Sequence, residues 1–83
     1  MRVTVKYFAS IREALDLGAE ELQTVAPTLG ALREELIARG GAYAQCLAHG
    51  KAVRMALNQV MSDESALLLD GCEVAFFPPV TGG

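Results

Sequence analysis

The sequence predicts an α+β domain: a mixed sheet of four to five strands, packed by one main helix and followed by an extended tail. Three observations carry this. Residues 2–8 alternate with period two around Val3, Val5 and Tyr7, the pattern of a half-buried strand. Behind Pro27-Thr28, residues Leu29, Leu32, Leu36 and Ile37 fall on one helical stripe. A β-rich run from Cys72 to Phe77 closes the domain, and Pro78-Pro79 end it, because proline lacks the ladder donor and holds φ near −65°.

Each element has a local reason. Ser10 is placed to cap a short helix through Leu17, with Ile11 and Leu15 on one side and Gly18 as its stop. Residues 20–26 read as a second strand with Leu22 inward, pairing with the first. Thr28 is the expected N-cap of the main helix, and Gly40-Gly41 end it by allowing left-handed backbone. A further helical turn is expected over residues 42–49, carrying Tyr43, Cys46 and Leu47. Val53 to Leu57 reads as a strand, Asn58-Gln59 as a turn and Val60-Met61 as a short return. Asp70-Gly71 is a second turn signal before the last strand. An N-terminal hairpin, one packed helix and a C-terminal strand with a tail describe a β-grasp, the ubiquitin-like architecture. The domain is expected over residues 1–77 and the tail over 78–83.

Size and composition narrow the function. Eighty-three residues make one core. The 52% hydrophobic content exceeds what so small an interior absorbs, so a partner is expected to cover some of it. Net charge is −3 and the seven basic residues are scattered, which argues against nucleic-acid binding. The N-terminus alternates like a strand and lacks a signal peptide's apolar region. No apolar run approaches the ~20 residues that span a bilayer, so no membrane is expected and the cytoplasm is the expected location. Cys46 and Cys72 lack CxxC spacing and read as reduced packing residues.

The most informative stretch is the end, Phe76-Phe77-Pro78-Pro79-Val80-Thr81-Gly82-Gly83. Two glycines make a thread without β-carbons that enters a slot closed to other residues. From Pro78 to Gly83 the extended chain spans roughly 20 Å. An α-carboxyl of pKa ~3.5 at Gly83 is ionised at neutral pH, ready to attack an activated phosphate but inert as an electrophile until it is itself activated. If Val74 and Phe76 face the helix, Glu73, Ala75 and Phe77 lie on the open side of the sheet. Phe77 is then an exposed aromatic anchor beside the tail, and Met61 extends the same patch. Val80 and Thr81 fit an extended tail, with the Thr81 hydroxyl available to a channel wall. His49, without a nearby carboxylate or thiol in sequence, reads as a loop residue. Glu20-Glu21 and Glu34-Glu35 read as solvated faces, Lys6 and Lys51 as surface cations. No metal-ligating or catalytic cluster stands out.

These residues resemble the small subunit of molybdopterin synthase across the whole chain. The resemblance is carried by Val5-Lys6-Tyr7-Phe8-Ala9-Ser10-Ile11-Arg12-Glu13, Pro27-Thr28, Ala56-Leu57-Asn58-Gln59, Asp70-Gly71 and, most specifically, Glu73 to Gly83. Cys72 departs from it, since the family tends to carry a polar or acidic residue there. The resemblance implies a sulfur carrier without catalytic activity of its own. An E1-like adenylating enzyme, using ATP and magnesium, would join the Gly83 carboxylate to AMP. Sulfur from a donor protein would displace AMP to leave a thiocarboxylate, with Gly82 giving access. The carrier would then dock on the large synthase subunit, in a heterotetramer, and deliver sulfur to cyclic pyranopterin monophosphate. Phe77, Pro78, Pro79, Val80, Thr81 and Met61 are the expected partner contacts. The fold and Gly-Gly end also suit a carrier of the thiamine type, a ubiquitin-like protein modifier, or a passive docking module.

Overall fold

A computed structural model of the chain describes residues 1–79. Five strands form one mixed sheet in the order β2-β1-β5-β3-β4. In chain order the elements are β1 (Arg2–Tyr7), α1 (Ala9–Leu15), β2 (Ala19–Gln23), α2 (Leu29–Ile37), α3 (Gly41–Leu47), β3 (Arg54–Leu57), β4 (Val60–Ser62) and β5 (Glu73–Phe77). β5 runs parallel to β1 down the middle of the sheet, and every other pairing is antiparallel. The α+β fold and the sheet of four to five strands stand as expected, with α2 the main helix among three.

The core follows from side-chain period. Val3, Val5 and Tyr7 point inward from β1, Val74 and Phe76 from β5, and Leu29, Leu32 and Leu36 from α2; all are almost fully buried. Thr28 caps α2 as its sequence promised, accepting the Ala31 amide at 3.1 Å. Ile37 is only half-buried. Cys46 and Cys72 are free thiols, the second packed in the core.

Several boundaries differ for local reasons. Ser10 lies inside α1 rather than at its cap; Phe8 occupies the cap without a side-chain bond. Asp16, not Gly18, takes the left-handed turn that ends α1, at φ 53°, a conformation that Asp tolerates better than most residues. β2 stops at Gln23 instead of Ala26, because Thr24 turns its hydroxyl to the Glu35 carboxylate at 2.6 Å and accepts the Ala26 amide at 3.0 Å. α2 ends at Ile37, and Gly40 and Gly41 serve the following reversal at φ 75° and 54°.

Two turns aim β5. Gly71, at φ 83°, donates its amide to Arg2 O at 2.7 Å, while Asp70 accepts the Arg2 amide. At the β3–β4 hairpin Asn58 and Gln59 both have positive φ, the geometry that matches strand twist in a two-residue turn. The Asn58 side chain then accepts the Glu73 amide at 2.9 Å, tying the hairpin to the first residue of β5.

Candidate partner face and tail root

Strand alternation on β5 gives the sheet two unlike faces. Val74 and Phe76 lie under the helices, and Glu73, Ala75 and Phe77 lie on the open side. Across that side the register aligns Met61 with Ala56, Ala56 with Ala75, and Ala75 with Lys6. Ala56 and Ala75 lack the bulk to fill the surface, so they form a low floor beside Met61, which is 60% exposed. Arg54 pairs with Phe77 one row nearer the tail. Met61 and Phe77 therefore share a face but stand diagonally, with β3 between them.

Phe77 is half-buried, not freely exposed as its sequence suggested. The reason is Phe8, whose ring meets it edge-on at 6.5 Å and 84°, a favoured aromatic geometry. Phe8 is itself 44% exposed, so the aromatic feature at the tail root is a pair rather than a single ring. It was overlooked as a contact, although alternation from Val3, Val5 and Tyr7 puts it on the open side. Its amide donates to Phe76 O at 3.2 Å, which continues the β1–β5 ladder to the end of β5.

Charge on this face is uneven. Lys6 pairs with Glu73 at 3.2 Å, which neutralises the end of the face away from the tail. Arg54 has no ion-pair partner among the described residues, and it flanks Phe77. The face thus combines an aromatic pair, an apolar floor, one methionine and one free cation. Such a surface fits a protein partner with a complementary apolar projection and a carboxylate. Pro78 and Pro79 follow Phe77 directly and are half-buried. Val80, Thr81, Gly82 and Gly83 lie outside the described residues.

The fold assembles polar contacts that the sequence did not announce. Glu20, expected on a solvated face, accepts the Tyr7 hydroxyl at 2.8 Å, the Tyr43 hydroxyl at 2.7 Å and Arg39 Nη1 at 3.0 Å. Burial pushes its pKa up, but the Tyr43, Tyr7 and Arg39 donors outweigh that and hold it below the ordinary carboxylate range. The Tyr7 hydroxyl is pushed far up, first by burial and then by the Glu20 hydrogen bond and charge. Arg33, 5% exposed, donates to Leu47 O at 2.7 Å, Ala48 O at 2.9 Å and Glu64 Oε1 at 3.0 Å. It thereby satisfies carbonyls left open at the end of α3. His49 does meet a carboxylate, that of Glu34 across the α2–α3 corner.

Burial raises the Cys46 thiol, which favours the unreactive protonated form. No three His, Cys, Asp or Glu side chains converge as metal ligands among the described residues. No helix among them is long and apolar enough to cross a membrane.

Known proteins resemble this chain over nearly its full length. The ThiS family profile covers residues 5–83. The molybdopterin synthase sulfur carrier subunit of Escherichia coli is 42% identical over 81 residues, covering 98% of this chain and 99% of that protein. A chain of the Helicobacter pylori complex of subunits 1 and 2 of molybdopterin-converting factor superposes with a TM-score of 0.71 at 27% identity, covering both chains fully. Haloferax volcanii SAMP1 shares the fold at a TM-score of 0.80 and 20% identity, again over both chains. The chain belongs to the ThiS family, and its full-length similarity is to molybdopterin synthase sulfur carrier subunits.

Proposed function

We propose that this protein is the sulfur carrier subunit of a molybdopterin synthase, with the Gly83 carboxyl as its reactive group. One observation supports this above the others: β5 ends in an aromatic pair on an open face, and the Pro-Pro-Val-Thr-Gly-Gly segment begins directly beside it. A partner gripping that face has the terminus within roughly 20 Å of Pro78. The folded body acts as a handle and the backbone terminus does the chemistry.

A carboxylate resists substitution because its carbon is electron-rich and its leaving group is poor. An adenylating partner removes that barrier by joining Gly83 to AMP, with ATP and magnesium held on the partner's side. A sulfur nucleophile from a donor protein displaces AMP and leaves the thiocarboxylate. The thiocarboxylate is anionic at neutral pH and nucleophilic at sulfur. On the large subunit its sulfur attacks a side-chain carbon of cyclic pyranopterin monophosphate and expels an oxygen substituent from that carbon; water then cleaves the acyl carbon–sulfur bond, which leaves the sulfur on the pterin and releases the carrier as its carboxylate. Tethering the sulfur to a docked protein turns a bimolecular delivery into a positioned one. Phe77, Phe8, Met61 and Arg54 form the docking contacts, while Pro78, Pro79, Val80 and Thr81 lead the two glycines into the partner's channel. Two such carriers on a central large-subunit dimer make the heterotetramer.

The test is intact mass spectrometry of the protein from cells, with a variant extended by one residue after Gly83. The native chain is expected to exchange one oxygen for sulfur, and the extended chain to fold yet support no dithiolene formation. Activity retained by the extended chain refutes the carrier mechanism. A ladder of lysine conjugates in place of the sulfur form identifies a modifier instead.

A further inference from the structure

A second apolar surface lies at the end of the sheet away from the tail root. Beyond β2, residues 24–28 run beside residues 66–69: Leu68 donates its amide to Pro27 O at 3.0 Å, and Thr28 bridges Leu67. Ala26 and Leu68 turn into the core, and their neighbours are left outside. Val25 is 89%, Leu67 68% and Leu69 69% exposed. Across residues 24–28 and 66–71 the one charged side chain is Asp70. One of its oxygens accepts the Arg2 amide at 2.7 Å, which brings Arg2 to the same edge. Both side chains are exposed, and neither the Arg2 guanidinium nor the Asp70 carboxylate has an ion-pair partner among the described residues. The surface thus joins three outward aliphatic side chains to one free cation and one free anion.

We propose that this surface is a contact between two copies of the chain, related by a two-fold axis. The leucines of the two copies pack together, and each Arg2 guanidinium meets the other copy's Asp70. Charge selects this occupant. A two-fold contact sets one patch against itself, so the patch must carry both members of every pair it makes. A surface with charges of one sign would repel its own copy, whereas Arg2 and Asp70 supply two ion pairs for each pair of chains. Area sets the strength. Three aliphatic side chains fall short of the ~800 Å² per partner that a stable interface buries, and the net charge of −3 on each copy opposes approach. The contact is therefore weak, with a dissociation constant on the order of 0.1–1 mM.

Position keeps this contact apart from the open face. β5 runs away from the Asp70-Gly71 turn, and the six steps from Gly71 to Phe77 span about 20 Å at ~3.3 Å each. Two copies joined at the turn leave both aromatic pairs uncovered, so each copy remains able to take a partner on its sheet. The pairing depends on Arg2, Val25, Leu67, Leu69 and Asp70 and is independent of the chemistry proposed for Gly83.

The test is a dilution series of the full chain from about 1 mM to about 20 µM, bracketing that constant, followed by sedimentation equilibrium and amide NMR spectra. The expected result is a mean mass that rises toward the dimer with concentration, and concentration-dependent shifts centred on Arg2, Val25, Leu67, Leu69 and Asp70. Leu67→Glu should weaken association at least about tenfold, as a charge set into an apolar contact does, while thermal melting stays cooperative. Arg2→Asp and Asp70→Lys should each weaken it about three- to tenfold. An equimolar mixture of those two variants should associate as tightly as the native chain, because each copy then supplies the charge that the other lacks. Rescue by mixing is a result that a misfolded variant does not give. A mass and spectra that hold across the whole series overturn the contact, and so does a mixture no tighter than its components. Concentration-dependent shifts at Phe8, Met61 and Phe77 instead place self-association on the open face and overturn it too. None of these measurements needs ATP or the large subunit, so their failure leaves the carrier reading standing.

Discussion

Replacing Glu20 by alanine removes one carboxylate that three side chains from distant parts of the chain share. Tyr7 comes from β1, Arg39 from the turn after α2 and Tyr43 from α3. Tyr7 is 1% exposed, so its hydroxyl has no water to turn to, and an orphaned buried donor costs about 1–3 kcal/mol. Tyr43 is half-buried, so water replaces part of its lost bond and the net cost is about 1 kcal/mol. The Arg39 side chain is 40% exposed, so its ion pair contributes at most about 0.5 kcal/mol. The sum is about 3 kcal/mol, a large share of the ~4–12 kcal/mol that a domain of this size holds in total. Melting should fall by roughly 12–24 °C.

The pH dependence gives the sharper check. The folded pKa of Glu20 lies below its ordinary value, so its contribution is complete above the unfolded pKa of about 4.3 and fades as pH falls through the folded value. Urea unfolding of the native and Glu20→Ala proteins, followed by circular dichroism, should show the full gap near neutral pH and a narrower one at about pH 3. Glu21→Ala, one residue along on the exposed outer face, should change stability by less than about 0.5 kcal/mol. A Glu20 gap below about 1 kcal/mol at neutral pH, or a gap unaltered by acid, refutes the reasoning.

Two further substitutions probe the face and its frame. Phe77→Ala should weaken binding of the large synthase subunit by about ten- to a hundredfold, as loss of an aromatic anchor does, while thermal unfolding stays cooperative. Unchanged affinity in calorimetry removes Phe77 from the interface, and loss of the cooperative melt assigns it to the core. Gln59→Gly should stabilise the domain by about 0.5–1 kcal/mol, because the residue sits at φ 68° where a side chain costs roughly 1–2 kcal/mol and glycine gives back part of that as entropy. A destabilised variant in chemical denaturation would mean that the Gln59 side chain makes a contact outweighing its backbone cost.

Much of this architecture was legible because its causes are local. The alternation of Val3, Val5 and Tyr7, the Thr28 cap, the Asn58-Gln59 and Asp70-Gly71 turns and the inward pair Val74 and Phe76 each depend on neighbours a few residues away. The same alternation places Met61, Ala75 and Phe77 on the open side. Helix ends were less legible, since Asp16 takes the turn that Gly18 also allowed, and the choice depends on backbone geometry rather than on residue type alone.

The sequence by itself determined the β-grasp order, which short-range pattern sets, and the proposal for Gly83 rests on sequence alone. Only the tertiary structure decided that Phe8 props Phe77, that Arg33 is buried beneath α3, that His49 meets Glu34, and that Glu20 gathers two tyrosines and an arginine. Those partners lie 13 to 69 residues apart, as from Tyr7 to Glu20 or Phe8 to Phe77. A hydrogen bond or a ring contact depends on separation in space, which the chain acquires only when the sheet closes β5 against β1.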